Sequence, residues 1–301
     1  MLEIAQEGPT VDVDVKGSPL RPAFRMLDGY NPRSPIIPIT RLGGVTSVVV
    51  APPDGLLGGQ SMFVDLVGDT VREAVVRQPL AQYARFDSGT AQANGGTRSG
   101  IMRQLREALE DARVYATRRS AFEENRSRPF SMGRLDLEAL QPVLRGEMPL
   151  VVSVSRASDI EAILRLVDEF KLKVVLSGAQ EAAPFKDELA RLRIPVILEG
   201  MSTLPESFDA LYGRPDLPGL LSRAGVPVIL STFDTYNVRT LPQRAGNAVR
   251  FGLDHLDAIR AITEVPAMVF GLEGYGRLEA GAVANVVVWS GDPLQVTSRA
   301  A

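Results

Sequence analysis

The sequence contains no cysteine and a single histidine, His255, among its 301 residues. Without cysteine the chain can form neither disulfides nor thiolate zinc sites. One imidazole cannot supply the several nitrogen ligands of an ordinary catalytic zinc centre. Basic residues number 33 and acidic residues 36, and this near balance argues against nucleic acid or an anionic membrane as a partner. No apolar run is long enough to span a membrane, and the acidic N-terminus does not resemble a signal peptide.

The first third of the chain has a weak pattern. Residues 1–40 are rich in proline and glycine and are predicted to be irregular. The β-branched run 45–50, between glycines and a proline, predicts a strand buried on both faces. Further strands are predicted at 61–67 and, more weakly, at 80–86. With 45% hydrophobic residues, the chain can bury a sizeable core.

From Pro149 onward, strands and helices alternate. Strands are predicted at 150–154, 174–176, 195–198 and 226–230, and helices at 159–170, 185–192, 217–223, 241–251 and 254–263. Strands separated by helices indicate βαβ units and a parallel sheet. The number of units favours a (β/α)₈ barrel over an open doubly wound sheet. In such a barrel, functional residues lie at the carboxyl ends of the strands.

Three other segments are predicted to be structural. Apolar spacing predicts a helix at 101–118, followed by a charged, solvated crossover at 118–134. The glycine-rich segment Gly55–Gly59 lacks the features of a phosphate-binding loop, and we interpret it as a loop able to approach a ligand. Asp254 is a natural helix N-cap, which places His255 in the first helical turn, exposed and without a catalytic role.

The C-terminal tail has a different pattern. A turn at Gly276–Gly281 precedes an apolar strand at Asn285–Trp289, which ends in the turn Ser290-Gly291-Asp292-Pro293. No helical pattern follows, so this segment is predicted to belong to a small separate sheet.

Several motifs in order resemble the amidohydrolase superfamily, and more narrowly its imidazolonepropionase-like group. The tail motif Gly-x-Leu-x-x-Gly-x-x-Ala-x-Val-Val-Val-Trp-x-Gly-Asp-Pro-Leu runs from Gly276 to Leu294. The earlier ones are Leu20-Arg21-Pro22, Leu27-Asp28-Gly29-Tyr30-Asn31-Pro32, Gly44-Val45-Thr46, Gly58-Gly59-Gln60, the segment 137–146 and Asp159-Ile160. Each motif is weak alone, but together they span residues 15 to 294.

The resemblance implies a metal-dependent TIM-like (β/α)₈ barrel with a small β-sandwich built from both chain ends. Residues 1–270 would form the barrel without its first strand, which in the family carries a His-x-His metal motif. Residues 271–301 would form the C-terminal remnant of the sandwich. The chain is then a gene fragment, a truncated form or a remodelled member of the family. A tail strand without its sheet partners would be prone to pair with other chains.

The resemblance also implies where metal ligands should lie. Asp65 matches the position of a carboxylated lysine or another ligand, and Gln60 lies in the same pocket region. Ser153, Ser155 and Ser177 stand at strand ends where the family places histidine. Serine hydroxyls are poor zinc ligands compared with imidazole. We therefore interpret these serines as hydrogen-bonded pocket residues.

Asp234, after the strand 226–230, matches the family's catalytic acid, which takes the proton when a metal-activated water attacks an amide. No cofactor is expected; the alternative is a weakly bound divalent cation held by Asp65 and Asp234. We expect a catalytically degenerate amidohydrolase relative that binds a small molecule, forms a homo-oligomer or pairs with an active homologue. The alternative is an active hydrolase of amide or cyclic amide C–N bonds with Asp234 as its base.

Overall fold

A computed structural model describes residues 17–124, 126, 128–199 and 207–301 of the chain. Within these residues the strands are β1 (Ser47–Val50), β2 (Leu57–Gln60), β3 (Met62–Asp65), β4 (Val75–Arg77), β5 (Gln82–Arg85), β6 (Leu150–Val154), β7 (Val174–Gly178), β8 (Val196–Leu198) and β9 (Val228–Leu230). They form two sheets. The larger has the order β2-β5-β6-β7-β8-β9, and the smaller the order β1-β3-β4.

The larger sheet carries the predicted parallel strands. Strands β5 to β9 are parallel to one another, and β2 is antiparallel to β5 at one edge. Successive side chains along its strands point alternately to the two faces of the sheet. Leu150, Val152 and Leu176 pack on one face, and Val151 and Val175 on the other. Burial on both faces explains why these strands read as continuous apolar runs.

Most of the helices in the described ranges cover one face of the larger sheet. The helices are α1 (Ile36–Leu42), α2 (Val71–Ala74), α3 (Ser88–Ala93), α4 (Arg98–Glu123), α5 (Arg134–Ala139), α6 (Gln141–Leu144), α7 (Ala157–Phe170), α8 (Lys186–Leu192), α9 (Leu217–Arg223), α10 (Leu241–Arg250), α11 (His255–Ala261) and α12 (Glu264–Phe270). The apolar stripe of α4, with Ile101, Leu105 and Leu109, joins this core. Across the described ranges, no helix is both long and apolar enough to cross a membrane.

The opposite face of the larger sheet packs against the smaller sheet and α12. Phe63 of β3 and Ala267 and Phe270 of α12 share one apolar cluster with Val151 and Val175. The two early strands predicted from sequence therefore belong to a separate antiparallel sheet, in which Ser47 pairs with Asp65 and Val50 with Met62. The smaller sheet and α12 thus cover the face opposite the main helical layer.

The α/β class and the parallel sheet are confirmed, but barrel closure is not. In the part of the chain that the structure describes, β2 and β9 end the larger sheet, and no ladder joins them. The predicted tail strand Asn285–Trp289 is also not found there. Only an isolated bridge links Trp289 to Ala300. A strand needs a continuous ladder of backbone hydrogen bonds. This segment has instead a few separate contacts, including the Ala301 amide to the Val288 carbonyl at 2.8 Å and Asn285 Nδ2 to Asp65 Oδ1 at 2.8 Å.

Other sequence predictions need correction in detail. Residues 36–40, within the segment predicted to be irregular, belong to helix α1, with Ile36 and Ile37 buried. Residues 57–59, within the predicted loop Gly55–Gly59, belong to strand β2. Helix α4 continues to Glu123, but its backbone leaves the helical region at Arg118, where the predicted helix ended.

Gln82 gives a prediction about stability. This β5 residue is fully buried, and neither its side-chain oxygen nor its nitrogen has a partner among the described residues. An unpaired buried amide costs about 1–3 kcal/mol. We expect Gln82→Leu to raise the free energy of unfolding by about 1–2 kcal/mol, measured by urea denaturation. Gln104→Leu is the control, because Gln104 donates a hydrogen bond to Asn94, and its loss should destabilise the fold. A less stable Gln82→Leu variant would contradict this account.

Candidate functional site

The parallel strands end at one edge of the larger sheet, and a cavity lies at that edge. This cavity is a depression largely open to solvent, with a volume of about 490 Å³. It is lined by residues that follow β8 and β9, namely Glu199, Thr232, Phe233, Asp234, Thr235 and Tyr236. Ligands of open α/β sheets bind beyond the carboxyl ends of the strands. This cavity is therefore the candidate site. The position of Glu199, directly after the predicted strand 195–198, could have identified it from sequence.

Asp234 lies in this cavity as a highly hydrogen-bonded carboxylate. Its Oδ1 accepts from the Tyr236 amide at 2.7 Å, and its Oδ2 accepts from Asn237 Nδ2 at 2.6 Å. Burial opposes ionisation, but these bonds, a further one from the Asn237 amide and the charge of Arg244 outweigh it and lower the pKa of Asp234. The carboxylate is therefore ionised at neutral pH but is a weakened base.

Phe233 and Glu199 give the cavity its other features. Phe233 has a left-handed backbone, with φ of 49°, and its side chain is 50% exposed. Such strain costs about 1–3 kcal/mol and is frequent at binding sites. Glu199 forms an ion pair with Arg244 of α10 at 3.2 Å. The cavity thus combines an exposed aromatic ring with two carboxylates, one of them neutralised.

The three serines predicted at former ligand positions lie at the same edge. Ser153 and Ser177 are register partners in the β6–β7 ladder, so their side chains stand on the same face of the sheet. Ser155 follows β6, and its hydroxyl lies 3.2 Å from where a Cβ on Gly178 would be. The structure therefore brings these serines together with the edge that carries Asp234.

Asp65 lies elsewhere and holds the C-terminal tail in place. It ends β3 in the smaller sheet, where Oδ1 accepts hydrogen bonds from Ser47 Oγ at 2.6 Å and Asn285 Nδ2 at 2.8 Å. Its Oδ2 accepts from the Tyr275 hydroxyl at 2.9 Å. Asp65 and Asp234 share none of these partners. The arrangement makes Asp65 a link between the smaller sheet and the tail.

The link predicts an alkaline transition. Burial raises the pKa of Tyr275 to about 12, assisted by the hydrogen bond to Asp65 and its charge. Because this folded-state pKa is raised, neutral Tyr275 stabilises the fold fully below about pH 10, and this stabilisation is lost as the pH rises to about 12. Asp65→Asn removes the charge. We expect it to lower the pKa of Tyr275 and to cost about 1–3 kcal/mol of stability.

Ultraviolet titration of tyrosinate, with Tyr275→Phe to assign the signal, measures this pKa. Asp69→Asn is the matched control, because Asp69 is exposed and lies four residues further along the same connection. Equal tyrosinate titrations in Asp65→Asn and Asp69→Asn would refute the link.

Gln60 and the glycine-rich segment do not reach the carboxyl edge. Gln60 pairs with Gln82, the first residue of β5, and therefore lies at the opposite edge of the sheet. Arg21 crosses the glycine-rich segment, donating to the Gly58 carbonyl at 3.2 Å and pairing with Asp54. Arg21 and the Asp54 backbone pack so closely against this segment that side chains larger than glycine would not fit.

A second charged network, not predicted from sequence, ties together the loops around this edge. Arg98 of α4 bonds the carboxylates of Asp159, at 2.6 Å, and Asp209. Glu181 accepts from the backbone amides of Ala157 at 2.9 Å and Tyr212 at 3.0 Å. Asp159, Asp209 and Glu181 are all buried. These contacts fix the loops after β6, β7 and β8 relative to one another.

His255 lies where the sequence predicted, in the first turn of α11. Asp254 caps that helix by accepting from the Leu256 amide at 2.9 Å. The ring of His255 contacts Asp292 Oδ2 at 2.9 Å, which attaches the tail to α11. The predicted N-cap is confirmed.

The donor set does not suit a transition metal. In the described ranges, no three histidine, cysteine, aspartate or glutamate side chains are grouped closely enough to hold an ion. The carboxyl-edge positions carry serine hydroxyls, and the oxygens of Asp65 and Asp234 are already hydrogen-bonded. A hydroxyl competes poorly with imidazole for zinc, so the residues present do not fit a catalytic zinc centre.

These features define an α/β protein with a polar site at the carboxyl edge of a parallel sheet. Residues 210–300 match the model of the amidohydrolase family. The amidohydrolase tasK of Hapsidospora irregularis is 24% identical over 317 aligned positions, covering 95% of this chain but 32% of that protein. The chain therefore spans about a third of the length of this curated relative.

A solved structure also resembles this chain in its fold. The crystal structure of an amidohydrolase from Thermotoga maritima MSB8 aligns with a TM-score of 0.87 and 26% identity, covering 96% of this chain and 78% of that one. The chain belongs to the amidohydrolase superfamily.

Proposed function

We propose that this protein is a catalytically degenerate amidohydrolase relative that binds a small molecule at the carboxyl edge of its parallel sheet. The observation that carries the proposal is the presence of Ser153, Ser155 and Ser177 at strand ends where imidazole ligands are expected. Without those nitrogens, the described part of the site lacks the imidazole donors that a water-activating zinc ion needs. The cavity, its exposed Phe233 and its fixed loops support retained binding.

We also propose finer features of the fold. The protein would be an incomplete (β/α) barrel of the imidazolonepropionase-like group, with residues 1–270 as barrel and 271–301 as a remnant of the β-sandwich. The five parallel strands and the close match to the Thermotoga protein support the barrel relationship. A homo-oligomer, or a pairing with an active homologue, would supply the groups that this chain lacks.

A thermal-shift screen with a library of small metabolites, followed by calorimetry, tests the proposal. We expect one ligand class to bind at one site per chain, without added metal. Phe233→Ala should weaken binding, because it removes the exposed ring beside the cavity. Phe208→Ala is the control, because Phe208 is also highly exposed but is not in the cavity lining. Equal effects of the two changes, or no ligand at all, would count against binding in this cavity.

The second candidate is an active C–N hydrolase, favoured by the ionised carboxylate of Asp234 in the cavity. Asp234 would be the general base that takes a proton from a water molecule attacking the amide carbonyl. It would act without a metal or beside a hard cation bound weakly by carboxylate oxygens. A screen of cyclic amides and acyl-dipeptides tests it. Turnover that Asp234→Asn abolishes, and that the exposed control Asp168→Asn leaves intact, would establish the enzyme. Turnover insensitive to Asp234→Asn would indicate a contaminant.

A further inference from the structure

The tail segment Asn285–Trp289 is fixed at both ends beside the smaller sheet. At one end, Asn285 Nδ2 donates to Asp65 Oδ1 at 2.8 Å. At the other end, the ring of Trp289 fills the space that a Cβ on Gly44 would occupy. The segment is therefore held in place, although no strand of the two sheets in the described ranges pairs with it.

The side chains of this segment alternate between solvent and protein. Val286 and Val288 are 57% and 64% exposed, whereas Val287 and Trp289 are partly buried. A period of two is that of an extended strand with one face open to water. Exposed β-branched side chains on an extended segment favour pairing with a further strand.

The backbone of the segment has one occupied edge and one free edge. The Val288 carbonyl accepts the Ala301 amide at 2.8 Å, so the Val288 edge faces the chain end. In an extended strand, the N–H and C=O groups of successive residues point to opposite sides. Those of Val287 and Trp289 therefore point away from the chain end. Neither amide donates to any residue in the part of the chain that the structure describes.

We propose that two copies of this chain dimerise by antiparallel pairing of their tail segments about Val287. A two-fold axis at this residue places Val287 opposite itself, with two reciprocal backbone hydrogen bonds. Each Trp289 amide then donates to the Asn285 carbonyl of the second copy. Val286 lies about 5 Å from Val288 of the second copy, which removes part of both side chains from water.

The inference rests on the homo-oligomer in the proposed function and names the surface that would form it. It does not depend on ligand binding in the cavity. A second copy fits this edge because the segment is uncharged and self-complementary. No charged residue lies between Glu279 and Asp292, so two antiparallel segments bring no like charges together. One pair of short strands makes a small interface, so we expect a dissociation constant of about 1–100 µM.

Sedimentation velocity from about 1 to about 300 µM measures the dimer. The unaltered chain should show a monomer–dimer equilibrium. Changing both Val286→Lys and Val288→Lys should weaken the dimer at least about tenfold, because antiparallel pairing sets like charges side by side. Val286→Glu with Val288→Lys should restore it, because the same pairing then sets opposite charges side by side. Val67→Lys is the control, because Val67 is 54% exposed and lies outside the tail.

Circular dichroism first shows that each variant folds, and hydrogen exchange of the unaltered protein gives a measure that needs no variant. Exchange of the Val287 and Trp289 amides should slow as the protein concentration rises. A monomer at every concentration would overturn the dimer. A dimer that the two lysines do not weaken would leave the homo-oligomer standing but overturn the tail as its interface. Failure of the glutamate–lysine variant to restore the dimer would overturn antiparallel pairing. The ligand screen decides small-molecule binding separately.

Discussion

Replacing Arg98 by glutamine is expected to lower the free energy of unfolding by about 3–5 kcal/mol, the largest effect of any change considered. Arg98 is the shared partner of Asp159 and Asp209, which are 3% and 8% exposed. Removing the cation leaves two buried carboxylates without their counter-charge, although Asp209 keeps the Ser88 amide at 2.9 Å. The loops that form the carboxyl edge should loosen with it, so binding in the cavity should weaken too.

The loss of stability in Arg98→Gln should depend on pH because of Asp159. Burial already raises the pKa of Asp159 above its ordinary value in spite of Arg98, and removing Arg98 should raise it further. A carboxylate with a raised pKa favours the folded state as it becomes protonated. The cost of Arg98→Gln should therefore shrink as the pH falls from about 7 to about 5.

Urea denaturation at both pH values measures this cost. Arg103→Gln on the same helix is the control, because its pairing with Glu107 is an exposed one worth well under 1 kcal/mol. A cost below about 1 kcal/mol at pH 7 for Arg98→Gln would contradict the role of the network.

Replacing Gly59 by alanine is the second large effect, with an expected cost of about 2–5 kcal/mol. Gly59 has φ of 127°, and an added Cβ would lie 2.5 Å from the carbonyl oxygen of Phe24. That oxygen accepts the Gln60 amide at 2.7 Å, so it cannot retreat without breaking the bond. The cost thus combines backbone strain with a clash against fixed backbone.

Gly89→Ala provides the control for the chemical change itself. Gly89 lies inside helix α3, and the nearest atom to an added Cβ is a carboxylate oxygen at 3.5 Å. Alanine is favoured over glycine in a helix by about 0.5–1 kcal/mol, so this variant should be unchanged or more stable. Similar melting temperatures for the two variants would show that the Gly58-Gly59 motif does not have the packing role argued here.

The later strands and helices could be predicted because their patterns are local. The helix predicted at 217–223 has the observed bounds of α9, and the strand predicted at 150–154 has those of β6. The smaller sheet could not be predicted, since pairing of Ser47 with Asp65 depends on contacts that periodicity does not encode. Helix α1 was not predicted because it contains a proline, although a helix tolerates proline in its first turn.

The candidate site was predicted unevenly for a similar reason. The resemblance to the family assigned Ser153, Ser177 and Asp234 to strand ends, and the structure places them at the carboxyl edge. The same resemblance assigned Asp65 and Gln60 to the site, but their strands are antiparallel and end elsewhere. Arg98 and Asp209 meet across 111 positions of sequence, and no pattern in the chain indicates that contact.

Metal content tests the central claim most directly. Protein purified without chelators, incubated with Zn²⁺, Mn²⁺, Co²⁺ or Fe²⁺ and then dialysed, can be measured by plasma mass spectrometry. The account predicts well below one equivalent of each ion per chain, because serine hydroxyls and already hydrogen-bonded carboxylates replace the imidazole donors. One tightly held equivalent that Asp234→Asn or Ser177→Ala releases, and that Asp168→Asn retains, would contradict it.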